Sequence, residues 1–77
     1  MTNVHIKKAI DIAGSQSALA KACGVTQPAV YRWLRGYRVK ADYVMAIVNA
    51  TKGEVKAYQL RPDLPDLFPH PTDHVSL

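Results

Sequence analysis

The stretch "CGVTQPAVYRWLRG", residues 23–36, decides the fold. Gly24 is a helix stop, because glycine takes a left-handed conformation at no steric cost. Thr26 is a side chain suited to the N-cap of a new helix, its hydroxyl accepting from a free backbone N–H of the first turn. Gln27 is then the first helical residue and Pro28 the second. A proline there costs little, since first-turn N–H groups have no intrahelical partner to lose. The Ala29 N–H is left as the natural donor to Thr26. Val30, Trp33 and Leu34 recur at i, i+3, i+4 and form one apolar face. Gln27, Pro28, Tyr31, Arg32 and Arg35 lie off that face. Gly36 ends the helix near Arg35.

Working outward, the preceding segment is also helical. Ser15 can cap a helix from Gln16 to Cys23, with Leu19, Ala20 and Cys23 inward. Before it, Ile6, Ala9, Ile10 and Ala13 share helical spacing over Val4–Ala13, with Asn3 as cap and Gly14 as stop. After Gly36, "GYRVK" reads as a polar link. A fourth helix is expected from Ala41 to about Thr51, with Val44, Ile47 and Val48 inward, and "KG" at Lys52–Gly53 breaks it. "EVKAYQL" adds a further helical turn or two, with Val55, Tyr58 and Leu60 able to pack back. From Arg61 on, four prolines in seventeen residues forbid a helix. The fold class is therefore all-α: a bundle of short helices over residues 1–61, followed by a Pro-rich tail, 62–77, ordered to about residue 68. No hairpin chemistry and no internal repeat is found.

Two short helices joined at a glycine are the shape of a helix-turn-helix. Ala20, four residues before Gly24, must be small because the helices cross there. Val25 and Val30 fill the wedge. The second helix is thereby held clear of the core, with its N-terminal half free to enter a major groove.

Composition and charge bound the function. The chain has 77 residues, of which 48% are hydrophobic, so it forms at most one domain and is not a disordered tail. It has no run near 18 apolar residues, so no membrane span is expected. Its N-terminus lacks the order of a signal peptide, which makes the cytoplasm of the cell the expected compartment. Cys23 is the single cysteine; it excludes an internal disulfide and reads as a small core residue. The net charge is +4 at pH 7, but unevenly spread. Lys7, Lys8, Lys21, Arg32, Arg35, Arg38 and Lys40 face only Asp11 in residues 1–40. Lys52, Lys56 and Arg61 are outnumbered by Asp42, Glu54, Asp63, Asp66 and Asp73 beyond them. A basic first half is either a solvated basic surface or the mark of an anionic partner, nucleic acid being the commonest. No catalytic triad, paired-carboxylate site or phosphate-binding glycine loop is present, so neither an enzyme nor a cofactor or small-molecule substrate is expected. "HPTDH" brings His70, Asp73 and His74 together, but Pro69 and Pro71 argue against the helix that would align them on a metal. Trp33 reads as core, Tyr31 as solvent-facing, His5 as exposed, and Tyr37, Tyr43 and Tyr58 as packing or dimer residues.

The stretch "GSQSALAKACGVTQPAVYRWLRG" resembles the helix-turn-helix of the Cro-like, YdaS-type regulators of lambdoid phages and prophages. "ADYVMAIVNATKGEVKAYQLRPDL" is similar to the same family's ending: a helix, a Thr-x-Gly break, and a short helix closing in Leu-Arg-Pro-Asp. The resemblance covers residues 4 to 68. It implies about five helices, sequence-specific binding of double-stranded DNA, and repression in a phage immunity switch, with the protein on the nucleoid of its bacterial host when bound. Some YdaS-type proteins are toxin or antitoxin components, so a protein-interaction module is the alternative, and a non-specific nucleic-acid binder a third reading. In such motifs the outer side of the second helix reads bases. Here that side presents Gln27, which suits adenine, Arg32, which suits guanine, Pro28, which can touch a thymine methyl, and Tyr31, which can touch a thymine methyl or donate to a phosphate. Gln16 resembles the family's phosphate contact at a helix N-terminus; Ser17, Thr26, Arg35, Arg38 and Lys40 are further phosphate candidates. Pro28 stands where many relatives have serine or alanine, and Cys23 where leucine is more usual. One such domain covers few base pairs, so a palindromic operator and a weak homodimer are expected, with the fourth helix and residues 55–68 as its candidate surface.

Overall fold

The computed structural model describes residues 2–69. They form five helices and, among the described residues, no strand: α1 (Val4–Ala13), α2 (Gln16–Cys23), α3 (Gln27–Leu34), α4 (Ala41–Ala50) and α5 (Ala57–Leu60). The caps explain the first two. The Asn3 side chain accepts from the N–H groups of His5 and Ile6, at 3.0 and 3.2 Å. Ser15 Oγ accepts from the Ala18 N–H at 3.0 Å. Gly14 and Gly24 end these helices in left-handed conformations, at φ 110° and 72°. Each satisfies a last-turn carbonyl that would otherwise be orphaned.

The start of α3 departs from expectation. Thr26 holds the N-cap position with extended backbone, but its hydroxyl makes no capping bond. The Ala29 N–H donates instead to the Thr26 main-chain carbonyl, at 3.1 Å. Pro28 has no N–H, so Ala29 supplies the first available donor, and the tight first turn delivers it to the backbone. The Thr26 hydroxyl is left unused by the helix.

The core is drawn from every helix. Ile6, Ala9, Leu19, Ala20, Cys23, Val30, Trp33, Val44, Ile47, Val55 and Leu60 are buried. Trp33 lies in it as expected, its ring centroid 6.0 Å from that of half-buried Tyr43. α2 packs on α1, α3 and α4, which makes it the central helix. Val48 is half-buried and packs against this core. His5, expected to be exposed, is half-buried, and the Asn3 N–H near it donates to the Leu34 carbonyl at 2.7 Å and draws the first turn of α1 onto the end of α3.

The segment 37–40 is less polar than its sequence suggests. Val39 is fully inside the core, so the link is tied down at its middle. Below α4, Lys52 and Gly53 both take positive φ, and the chain reverses into α5. Residues 61–68 then form successive turns: the Leu64 N–H donates to the Arg61 carbonyl, and the Leu67 and Phe68 N–H groups to that of Leu64. Phe68 packs against the core. His70, Asp73 and His74 lie outside the described residues, and no cluster of potential metal ligands occurs among the described ones. No described helix is long and apolar enough to cross a membrane.

Candidate nucleic-acid interface

α2, the turn Gly24–Thr26 and α3 present one continuous outer surface. Gln27, Pro28, Tyr31, Arg32 and Arg35 all lie on it with exposed side chains, beside buried Val30 and Trp33 of the same helix. The helical period separates the two sets: the i, i+3 positions go inward and their neighbours outward. Ala20 at the crossing is buried and lets the helices approach closely.

Three local arrangements organise the exposed side chains. Gln27 Nε2 donates to Gln16 Oε1, which joins the first residues of α2 and α3. Arg35 Nη1 donates to the Tyr31 hydroxyl at 3.0 Å, and its guanidinium carbon stands 5.8 Å from the Tyr31 ring centroid. A groove of about 470 Å³ runs beside α3, lined by Thr26, Arg32, Trp33, Tyr37, Arg38, Lys40 and Tyr43 among others. The structure thus brings Thr26, Arg32, Arg38 and Lys40 to one groove, and Gln16 beside Gln27. Ser17 is exposed on the first turn of α2, outside both groupings. Tyr37, expected as a packing or dimer residue, is 66% exposed and lines the groove.

The electrostatics are one-sided. The ion pairs among described residues are Lys7–Asp11, Lys8–Glu54 and Arg61–Asp63. Arg32, Arg35, Arg38 and Lys40 are exposed and enter none of these pairs. Arg32, Arg38 and Lys40 gather on the groove, and an anion laid along it relieves their mutual repulsion.

The residues that sequence reasoning missed stand behind the groove. Arg61 is buried. Its Nη1 donates to the Val39 carbonyl at 2.9 Å, while Nε and Nη2 donate to the two carboxylate oxygens of Asp63 at 2.9 and 2.8 Å. This forked pair holds the Asp63 carboxyl down at about 2, and the nearby charge of Arg38 acts in the same direction. At the opposite extreme, burial pushes the Cys23 thiol up from its ordinary value, as befits an unreactive packing residue.

The model of the family described as "Bacterial toxin YdaS" matches residues 6–67, from the core of α1 through the turns that follow α5. The chain belongs to the YdaS family. A relative in Escherichia coli (strain K12), described as "Putative transcriptional regulator YdaS", is 43% identical over 63 residues, 80% of this chain and 64% of its own length. The chain thus spans somewhat less than two thirds of that curated relative. No solved structure matches. The YdaS match covers the helix-turn-helix and the Arg61–Asp63 pair together, so groove and support fall within one family unit.

Proposed function

We propose that this chain is a sequence-specific regulator of transcription that binds double-stranded DNA, acting in the manner of a Cro-like prophage repressor by occupying an operator that overlaps a promoter. The observation that carries the reading is the exposed set Arg32, Arg35, Arg38 and Lys40 on and beside α3, which enters none of the ion pairs among the described residues. The description of the Escherichia coli relative as a regulator supports it. In this reading α3 enters the major groove. Gln27 reads adenine through N6 and N7: one hydrogen of its amide nitrogen goes to Gln16, leaving the other hydrogen and Oε1 for the base edge. Arg32 reads guanine O6 and N7. Tyr31 and Pro28 offer contacts to a thymine methyl. Gln16, Ser17, Thr26, Arg35, Arg38 and Lys40 meet phosphates, which fix register rather than sequence. Two protomers occupy a palindrome with half-site centres about 34 Å apart.

The test is binding of purified protein to the intergenic DNA beside its own gene, against scrambled DNA, near physiological salt. A preference of about a thousandfold is expected. Arg32→Ala should cost about 1–3 kcal/mol on the operator and relax one base position. Equal weakening on operator and random DNA would demote Arg32 to a phosphate contact. The family's description as a bacterial toxin favours a second reading, a helix-turn-helix that docks on a partner protein. It predicts no salt-sensitive DNA affinity and indifference to Arg32→Ala.

A further inference from the structure

We infer that Arg61 is a positioning residue for the DNA-contacting link: it holds Arg38 and Lys40 in the groove by clamping Val39 between them. The inference rests on the DNA reading above. Val39 is 1% exposed, and its carbonyl receives Arg61 Nη1 at 2.9 Å. With Val39 turned inward and fixed, its neighbours Arg38 and Lys40 are directed outward, and both line the groove with Arg32 and Thr26. The link has no regular secondary structure to hold it. The Tyr37 N–H donates to the Arg32 carbonyl at 3.0 Å and the Tyr43 N–H to the Lys40 carbonyl at 2.9 Å, which fastens the link's two ends; its middle is fixed by the Val39 side chain and this one bond from a residue 22 positions away.

Asp63 completes the device. It takes the other edge of the guanidinium with two bonds and leaves Nη1 directed at Val39. A fork of this geometry fixes orientation as well as charge. The carboxylate also lies near enough to Arg38 to feel its charge, which ties the clamp to the cation it positions. The Leu-Arg-Pro-Asp ending is therefore part of the groove's construction.

The experiment is a mutant cycle read by salt-dependent binding to the operator. Arg61→Met keeps the stem and removes every donor. At a temperature where circular dichroism shows the variant folded, it should bind at least tenfold more weakly. Its plot of log affinity against log salt should flatten by about 0.9 for each phosphate that the variant no longer neutralises. Adding Arg38→Ala and Lys40→Ala to it should change little further, although the same pair weakens the parent strongly. Amide exchange at residues 38–40 should accelerate. Unchanged slope and affinity, or an undiminished penalty for the Arg38/Lys40 pair, overturns the inference while leaving the DNA reading intact. If Arg61→Met does not fold, the same cycle is run on Arg61→Lys, which keeps the charge but not the fork, and on Asp63→Asn. Those variants are expected to fall between parent and full loss, and parental behaviour in both overturns the proposal. A parent that shows no salt-dependent DNA binding removes the DNA reading, and the inference falls with it.

Discussion

Thr51 is a hydroxyl residue with no exposure at all. Its Oγ1 lies 3.0 Å from the carbonyls of Ile47 and Val48, to which its single proton can be given. It also accepts from the Val55 N–H at 3.2 Å. One side chain thus ends α4 and fastens the chain leading to α5. Thr51→Val conserves the shape and leaves the Val55 N–H buried and unpaired. The expected cost is about 1–3 kcal/mol, measured by urea unfolding. A change below about 0.5 kcal/mol, the range of an ordinary surface substitution, would mean that the segment relaxes to find water. This role could not be read from sequence, because a threonine after an apolar helix is equally a surface residue. Trp33 was legible for the opposite reason: Val30 and Leu34 share its helical face, and the period alone sends it inward. Arg61 stayed hidden because its partner Val39 is 22 residues distant, and no local pattern encodes that separation.

At the scale of elements, the helix starts separate position from chemistry. Ser15 and Thr26 occupy equivalent N-cap positions, but only the Ser15 hydroxyl accepts a bond from the helix it precedes. Ser15→Ala should therefore lower stability by about 1 kcal/mol, whereas Thr26→Ala should stay within about 0.5 kcal/mol. Thermal melts of the two variants check this. Under the DNA reading Thr26→Ala should still weaken operator binding, so stability and affinity part at this residue. The caps, glycine stops and helical stripes were legible because each is a signal within four residues. The burial of Val39 was not, since it depends on the segment after α5 returning beneath the link. That return has its own signature in acid. The Asp63 carboxyl is held at about 2, below its ordinary 3.8, by Arg61. A depressed carboxyl stabilises the fold fully above the ordinary value and loses that contribution as pH falls from 3.8 towards 2. Asp63→Asn should thus melt below the parent at pH values near neutrality, and the gap should close as the pH reaches the depressed value of about 2. A gap independent of pH would show that the charge of Asp63 does not matter.

The whole molecule combines a basic groove on one side with an apolar surface on another. Met45 of α4 and Leu67 of the final turns are 49% and 62% exposed, and they line a shared hollow with Tyr58 and Phe68. Charge separation of this kind was visible from the first count of lysines and arginines. Which apolar residues stay outside was not, because burial is decided by how α4, α5 and the final turns pack together. In the proposed repressor, two-fold pairing on a palindrome needs a surface away from α3, and this one meets that condition. Its modest extent suits protomers that meet weakly in solution and pair firmly once both half-sites are occupied. Two protomers per operator are expected, binding cooperatively, with Met45→Glu or Leu67→Glu abolishing the cooperativity while a single half-site still binds one protomer with parental affinity. Sedimentation at high concentration, alone and on operator DNA, reads both states. One protomer per operator, together with a purely monomeric free protein, would remove the dimer from the mechanism. Specificity would then have to come from the few base pairs that one α3 can span, too few to mark a unique genomic site.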